Sequence, residues 1–410
     1  MKAKRLAALV MALMMLTAST AGGEGKKSVY DEAWYLQALQ DSVMSAGNNA
    51  RLKRVIERAG QGEEITLVTI GGSITEGAGA ADYRECWASR FAVRFGTAYG
   101  SQNGTNVHLV NAGVGGTPSP FGWMRYQREA VSRVPEADAD GLPDVVVIEF
   151  SENDWEEPTK HRCYESMVKE ILDAPNEPAV ILLFAVFRNG FNLQEELRKI
   201  GSRYGLMMVS IKDGFYGQIG KKLTAEEFFF DEYHPTSMGH RIMTDCLMQA
   251  ISEAAEGAED EQQELDVEPV YGTDFMGLNT IFGDTETEAY TVERGGFRST
   301  DYESYHNQPV GWVCGPNFFH DAGDPEEPLR VTGVFRKCLV AWRATSDPAF
   351  GTVEILVDGR VVQSVQGGAG KWGQSEVVLA LDEEEAAEHT LEIRVKEAGK
   401  KATITAIGLQ

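Results

Sequence analysis

Three side chains of this sequence have the types needed for nucleophilic catalysis by a serine. Ser73 follows the apolar run ITLVTI (65–70) and two glycines, and Asp231 lies three residues before His234. A serine hydroxyl becomes a useful nucleophile when an imidazole accepts its proton, and the imidazole works best when a carboxylate orients it. The sequence therefore predicts that Ser73 is a nucleophile, that His234 is its base and that Asp231 orients the base.

The same chemistry needs hydrogen-bond donors for the negative charge that develops on the oxygen of a reacting carbonyl group. The N–H of Ser73, the N–H of Gly116 and the side-chain amide of Asn153 each follow a different predicted strand. The glycine-rich stretch NAGVGG (111–116) lets the backbone approach a bound group closely with its N–H groups exposed. We therefore predict an oxyanion hole formed by Ser73, Gly116 and Asn153.

Short apolar runs predict the strands that position these groups. The length of these runs and their β-branched side chains favour buried strands over helix. The runs lie at 65–70, 107–110, 145–150, 180–186 and 206–211. Helical patterns separate them, and the stretch from Val29 to Ala59 is expected to form one or two further helices. This alternation predicts an α/β domain with a five-stranded parallel sheet. Ser73 is then expected at the carboxyl edge of the sheet, where open α/β sheets bind ligands.

Four sequence blocks contain these residues, namely GGSIT (71–75), NAGVGG (111–116), END (152–154) and DEYHP (231–235). In this order they resemble the signature blocks of the SGNH/GDSL hydrolase superfamily. The resemblance implies a flavodoxin-like three-layer domain, the catalytic and oxyanion roles given above, and ester hydrolysis without a metal or organic cofactor. Two positions depart from the pattern: Gly72 stands where many members carry Asp, and Ser151-Glu152 replaces a glycine pair. The Gly72 form resembles a branch in which deacetylation of carbohydrates is frequent.

A second domain is expected after the α/β domain, which we assign to residues 28–252. Residues 253–269 are acidic and almost free of large apolar side chains, which is typical of a linker. Beyond them the apolar residues alternate with period two, and Asp358-Gly359 predicts a hairpin turn. Residues 270–410 are therefore predicted to form a β-sandwich of jelly-roll type.

The first 21 residues have the pattern of a cleaved, bacterial-type secretory signal peptide. Lys2, Lys4 and Arg5 precede an apolar core and a small-residue end. That core is shorter than the roughly 18 apolar residues that span a bilayer. Removal of these three of the 38 basic side chains leaves 35 against 62 acidic ones, a balance that disfavours nucleic acid and anionic membranes as partners. We therefore expect a secreted protein; the sequence leaves its oligomeric state open.

Cysteine and tryptophan residues give further expectations. Cys86 and Cys246 lie in helical apolar patterns and are expected in the core, whereas Cys314 and Cys338 could pair in the second domain. Two tryptophans that follow donor blocks are candidates for lining the substrate pocket, Trp123 and Trp155. In the second domain, Trp342 is expected in the core, and Trp372, in a glycine-rich loop, is a candidate for a ligand or interdomain contact.

The sequence is best interpreted as a secreted serine esterase that removes a small acyl group, foremost acetyl, from a carbohydrate. A lipolytic esterase or thioesterase with the same triad, and a carbohydrate-binding protein without turnover, remain alternatives. Glu152 and Asp154 belong to an acidic run that we interpret as a solvated loop, although two such carboxylates could also serve a glycosidase. The sequence contains no HExxH motif, and Ser73 is not in a GxSxG motif because Thr75 takes the place of the second glycine. The glycine run at 113–116 does not continue as a dinucleotide-binding GxGxxG motif, because Pro118 occupies the third glycine position.

Overall fold

The computed structural model describes residues 29–138, 140–304 and 315–410. The predicted signal peptide and Cys314, one member of the predicted cysteine pair, therefore lie outside the described residues. Within these ranges, no helix is both long enough and apolar enough to cross a membrane.

A mixed six-stranded sheet forms the centre of the N-terminal domain. Its strands are β1 Val43–Ser45, β2 Ile65–Gly71, β3 Val107–Gly113, β4 Val145–Glu149, β5 Ala179–Phe184 and β6 Met207–Ser210. The order across the sheet is β1-β6-β5-β4-β2-β3, so the parallel strands follow the flavodoxin-like order 2-1-3-4-5. The predicted α/β fold class and its five parallel strands are confirmed. The sixth strand, β1, pairs antiparallel with β6, in a stretch that the sequence predicted as helical only.

Helices cover both faces of this sheet. They are α1 Ala33–Asp41, α2 Ala50–Gln61, α3 Ser73–Glu76, α4 Trp87–Tyr99, α5 Ser119–Glu129, α6 Arg162–Leu172, α7 Gln194–Arg203, α8 Ile211–Phe215, α9 Ala225–Phe228 and α10 Ser237–Glu256. Alternate strand residues point to opposite faces: Leu67 packs with α1, α2, α4 and α10, whereas Val68 packs with α5, α6 and α7. Cys86 and Cys246 are fully buried in the first of these cores, as predicted.

The C-terminal domain is an antiparallel β-sandwich, which confirms the second part of the predicted fold. Its strands are β7 Asn279–Ile281, β8 Tyr290–Glu293, β9 Phe318–His320, β10 Leu329–Thr345, β11 Thr352–Val357, β12 Arg360–Gln366, β13 Trp372–Val395 and β14 Ala402–Leu409. The long strands β10 and β13 pair along most of their length and contain bulges. One part of β10 pairs with β8 and another with β14. Asp358 and Gly359 have positive φ and join β11 to β12, as expected for a hairpin.

The two domains share one hydrophobic core. Leu339, Ala341, Val377 and Ala406 of the sandwich pack in the same cluster as the α5 to α7 face of the N-terminal sheet. The acidic stretch between the domains is also packed rather than free. Helix α10 extends to Glu256, and further along the chain Asp260 accepts a hydrogen bond from the N–H of Asn49. The shared core fixes the second domain against the helices α5 to α7, and the hydrogen bond of Asp260 holds the connecting segment on the N-terminal domain.

Candidate active site

Ser73, His234 and Asp231 lie in one hydrogen-bonded row at the carboxyl edge of the sheet. Ser73 Oγ is 2.9 Å from His234 Nε2, and His234 Nδ1 is 2.8 Å from Asp231 Oδ2. Ser73 is the first residue of α3, directly after β2 and Gly72. His234 and Asp231 come from the loop before α10. The fold thus brings together three residues that are up to 161 positions apart in the chain.

The loop that carries His234 is held by its own aspartate. Asp231 Oδ1 accepts hydrogen bonds from the N–H groups of Tyr233 and His234, at 2.7 and 2.8 Å. Partial burial acts to raise the pKa of Asp231, but the hydrogen bonds from the His234 ring and the two N–H groups outweigh it and lower the pKa. The lowered pKa favours the ionised form of Asp231, and a carboxylate in this position can orient the ring and stabilise a positive charge on it.

Three donors face the space next to Ser73 and have no hydrogen-bond acceptor among the described residues: the N–H of Ser73, the N–H of Gly116 and the amide of Asn153. Gly116 has a φ of +66°, a conformation that favours glycine. It lies beside Gly115, where an added Cβ would be 3.6 Å from Ser73 Cβ. An oxyanion hole requires donors that are free in this way and lie near the nucleophile.

The geometry of the site explains why position 72 is a glycine. An added Cβ at Gly72 would lie 2.2 Å from Asn153 Oδ1 and 3.0 Å from its Nδ2. Asn153 therefore packs directly against the backbone of Gly72, and a larger residue there would displace the Asn153 amide. The departure from the superfamily pattern at position 72 thus permits a close contact between the turn of the nucleophile and an oxyanion donor.

The tryptophans near the site differ in their placement. Trp155 is 61% exposed and lies two residues after Asn153, at the surface. Trp123 is buried, and its indole N–H donates to the carbonyl of Phe275 at 2.8 Å. This placement contradicts the expectation that Trp123 lines the pocket, because its ring belongs to the core shared by the two domains.

Trp372, the first residue of β13 in the second domain, lies next to the glycine-rich block. An added Cβ at Gly116 would be 2.8 Å from Trp372 Cζ2, and one at Gly115 would be 3.4 Å from Trp372 Cη2. Trp372 nevertheless remains 64% exposed. The indole therefore contacts the wall of the site and presents a free face to solvent. Its glycine-rich surroundings were the only sequence signal for this position.

The acidic run after β4 is not a solvated loop as expected. Glu152 and Asp154 are 1% and 2% exposed, and Glu149 at the end of β4 is fully buried. Asp154 accepts a hydrogen bond from the N–H of Ser119 at 2.7 Å. Sequence analysis also missed Glu76, whose carboxylate accepts the N–H of Gly115 at 2.6 Å. Asp154 and Glu76 thus hold backbone N–H groups near the donors, and their charge alone gave no sequence signal for that role.

Comparison with known families now adds to this geometry. Residues 69–242 match the model of the GDSL-like Lipase/Acylhydrolase family. These residues form a GDSL-like hydrolase domain. The matched range includes Ser73, Gly116, Asn153, Asp231 and His234, and all four sequence blocks lie within it. Comparison with curated protein sequences found no match.

Two solved structures match this chain over both of its domains. A two-domain esterase (CEX) active on acetylated mannans is 23% identical, with a TM-score of 0.76; the match covers 90% of this chain and 97% of that chain. The same esterase co-crystallized with mannopentaose matches over the same shares with a TM-score of 0.74. An acetylxylan esterase, Axe2 from Geobacillus stearothermophilus, is 17% identical and covers 46% of this chain and 95% of its own, with a TM-score of 0.34. The first two likenesses show that the arrangement of a hydrolase domain followed by a β-sandwich recurs.

Proposed function

We propose that this protein is a secreted serine esterase that removes acetyl groups from an acetylated carbohydrate. The observation that carries the proposal is the row of Ser73, His234 and Asp231 next to three uncommitted donors. The likeness to an esterase active on acetylated mannans supports the choice of substrate class. The signal-peptide pattern of residues 1–21 supports secretion.

The reaction follows from the roles of these groups. His234 Nε2 accepts the proton of Ser73 as Ser73 Oγ attacks the carbonyl carbon of the ester. The N–H groups of Ser73 and Gly116 and the amide of Asn153 donate to the oxyanion of the tetrahedral intermediate. The protonated ring then gives its proton to the leaving sugar oxygen, and an acetyl-serine remains. Water, activated by His234, attacks this ester and releases acetate.

Replacement of the nucleophile tests the proposal. Ser73→Ala removes the attacking oxygen and is expected to lower kcat by on the order of a millionfold, as for other serine hydrolases. Acetate release from acetylated mannan and xylan oligosaccharides measures this effect, and circular dichroism checks that the fold persists. Hydrolysis retained by this variant would exclude Ser73. A wild-type rate that rises from acetyl to octanoyl esters would favour a lipolytic enzyme instead.

Trp372 is proposed to hold the sugar that carries the acetyl group. Its indole contacts Gly115 and Gly116 and leaves an exposed apolar face, on which a pyranose ring can pack. Trp372→Ala is expected to raise KM for an acetylated oligosaccharide about tenfold, which corresponds to about 1.4 kcal/mol. Hydrolysis of 4-nitrophenyl acetate, which has no sugar, should change little.

Trp372→Phe is the matched variant for this experiment. It keeps an aromatic face at the same position and is expected to give an intermediate KM for the oligosaccharide. An equal loss of activity on both substrates in Trp372→Ala would show that the ring supports the Gly115-Gly116 backbone rather than the sugar.

A further inference from the structure

Two buried carboxyl groups link the helix of the nucleophile to the turn that carries Asn153. Glu149 is the last residue of β4 and lies opposite Gly71, the last residue of β2. Its Oε2 accepts a hydrogen bond from Thr75 Oγ1 at 2.8 Å, and Thr75 is two residues from Ser73 on α3. On the other side, Glu152 directly precedes Asn153, and its Oε1 accepts from Ser151 Oγ at 2.8 Å.

The remaining oxygen of each carboxyl is left without a hydrogen-bond donor from elsewhere in the described part of the chain. Glu149 Oε1 and Glu152 Oε2 are buried and find no N–H or hydroxyl donor among the described residues. A hydrogen bond between the two side chains acts to lower the pKa of Glu149 and to raise that of Glu152. Two ionised carboxylates have no hydrogen to share, so a bond between them requires that one carboxyl keeps its proton. The contact therefore contains a proton.

The surroundings keep this proton in place. Burial is the main cause that raises the pKa of both groups, and repulsion by Glu149 raises that of Glu152 further. Neither carboxyl forms an ion pair with a Lys, Arg or His of the described chain. The other titratable groups that face the pair are Asp154 and the Tyr164 hydroxyl on α6. Neither supplies a positive charge.

We propose that Glu149 and Glu152 are positioning residues that share one proton and thereby fix the Asn153 turn against the Ser73 helix. The connection runs from Thr75 through Glu149 to Glu152, which is the neighbour of the oxyanion donor in the chain. Loss of the shared proton leaves two adjacent anions in a buried space, and their repulsion moves the turn away from Gly72. This inference rests on the proposed esterase reaction, because Asn153 is positioned for the oxyanion of that reaction.

Infrared spectroscopy of the full-length protein tests the shared proton directly. At pH 8, the wild type is expected to show the carbonyl stretch of a protonated carboxylic acid, and Glu152→Gln is expected to show a weaker band. A residual band is attributed to Asp154, whose pKa is also raised by burial. The amide introduced by this substitution donates to Glu149 without a titrating proton, so the turn stays in place. Asp138→Asn is the matched control. Burial raises the pKa of Asp138 to about 6, so Asp138 is ionised at pH 8 and its replacement leaves the band unchanged.

Kinetics test the positioning role. Wild-type kcat is expected to fall in the alkaline range as the shared proton is lost, whereas kcat of Glu152→Gln is not. Glu152→Ala removes the link and should lower kcat about ten- to a hundredfold at every pH, because small misplacements of catalytic groups have effects of this size. KM should change by less than about threefold. Thr75→Val breaks the other end of the link and serves as the test if Glu152→Ala does not fold. It should likewise lower kcat and leave KM nearly unchanged.

The outcomes separate the two proposals. A band of undiminished intensity in Glu152→Gln overturns the shared proton. Wild-type kcat in both Glu152→Ala and Thr75→Val overturns the positioning role. A wild type that hydrolyses no acetyl ester overturns the proposed function alone, since the infrared band does not depend on turnover.

Discussion

Polar side chains at the two ends of the parallel sheet differ in how completely their hydrogen bonds are satisfied. At the amino end, Asp144 precedes β4 and accepts hydrogen bonds from the N–H of Thr66 at 2.8 Å and from Arg58 at 2.5 Å. Asn106 precedes β3, and its amide donates to the carbonyls of Ala59 and Glu63. Every one of these groups has a partner that is fixed by the fold.

At the carboxyl end of β4, some polar groups lack hydrogen-bond partners among the described residues. The Asn153 amide has no acceptor among the described residues, and the Glu149 and Glu152 carboxyls have each other but no cation. An unpaired buried polar group costs free energy, about 1–3 kcal/mol each. A fold retains such groups where a ligand completes them. The comparison therefore separates residues that hold the sheet together from residues that serve the proposed reaction, Asn153 as a donor and Glu149 and Glu152 as positioning residues.

Replacement of the two asparagines is the largest test of this comparison. Asn153→Ala removes an oxyanion donor and is expected to lower kcat about a hundred- to a thousandfold. The free energy of unfolding should change little, because the amide forms no hydrogen bond within the described chain. Initial rates on an acetyl ester and urea denaturation measure the two quantities.

Asn106→Ala is the matched variant at the opposite end. It leaves the carbonyls of Ala59 and Glu63 and the N–H of Ser101 without their side-chain partner. We expect a loss of about 2 kcal/mol in stability and a kcat within about twofold of the wild type. A strong loss of kcat in Asn106→Ala, or full activity in Asn153→Ala, would contradict the division between the two ends.

The sequence was sufficient for those parts of the molecule that depend on local patterns. The parallel strands are apolar on both faces, so their runs stand out, and β1 does not because it has three residues and an irregular register with β6. The contact between Asp231 and His234 could be predicted because the two residues are only three positions apart in the chain. Ser73 was found through a strand, two glycines and a short helix, which are all local.

Residues whose role depends on the packing of distant segments were missed or misassigned. Glu152 stands in a charged run, and nothing in that run indicates that the fold buries its side chain. Trp123 and Trp372 are both tryptophans near glycines, yet the docking of the second domain buries one and brings the other to the site. Sequence spacing contains no information on which face of a domain another domain covers.

A second test of the comparison changes a residue at the amino end of the sheet, and the expected loss of stability is its only effect. Arg58→Ala leaves the fully buried Asp144 carboxylate with the N–H of Thr66 but without its cation. Breaking a buried pair costs about 3–5 kcal/mol; because the Arg58 side chain is 31% exposed, solvent screens the pair and we expect about 2 kcal/mol. Arg54→Ala, which breaks an exposed pair with Glu177, should cost less than about 1 kcal/mol. Neither variant should alter kcat.

The pH dependence of this loss identifies its cause. Burial raises the pKa of Asp144 above its ordinary value, although Thr66 and Arg58 oppose the shift. A carboxyl with a raised pKa favours folding in its neutral form, so its contribution is complete in acid and is lost as pH rises through the folded-state pKa. Removal of Arg58 raises that pKa further. The stability difference between Arg58→Ala and the wild type should therefore be large at pH 8 and small at pH 4. A difference that is constant with pH would mean that Arg58 acts through packing of its side chain instead of through Asp144.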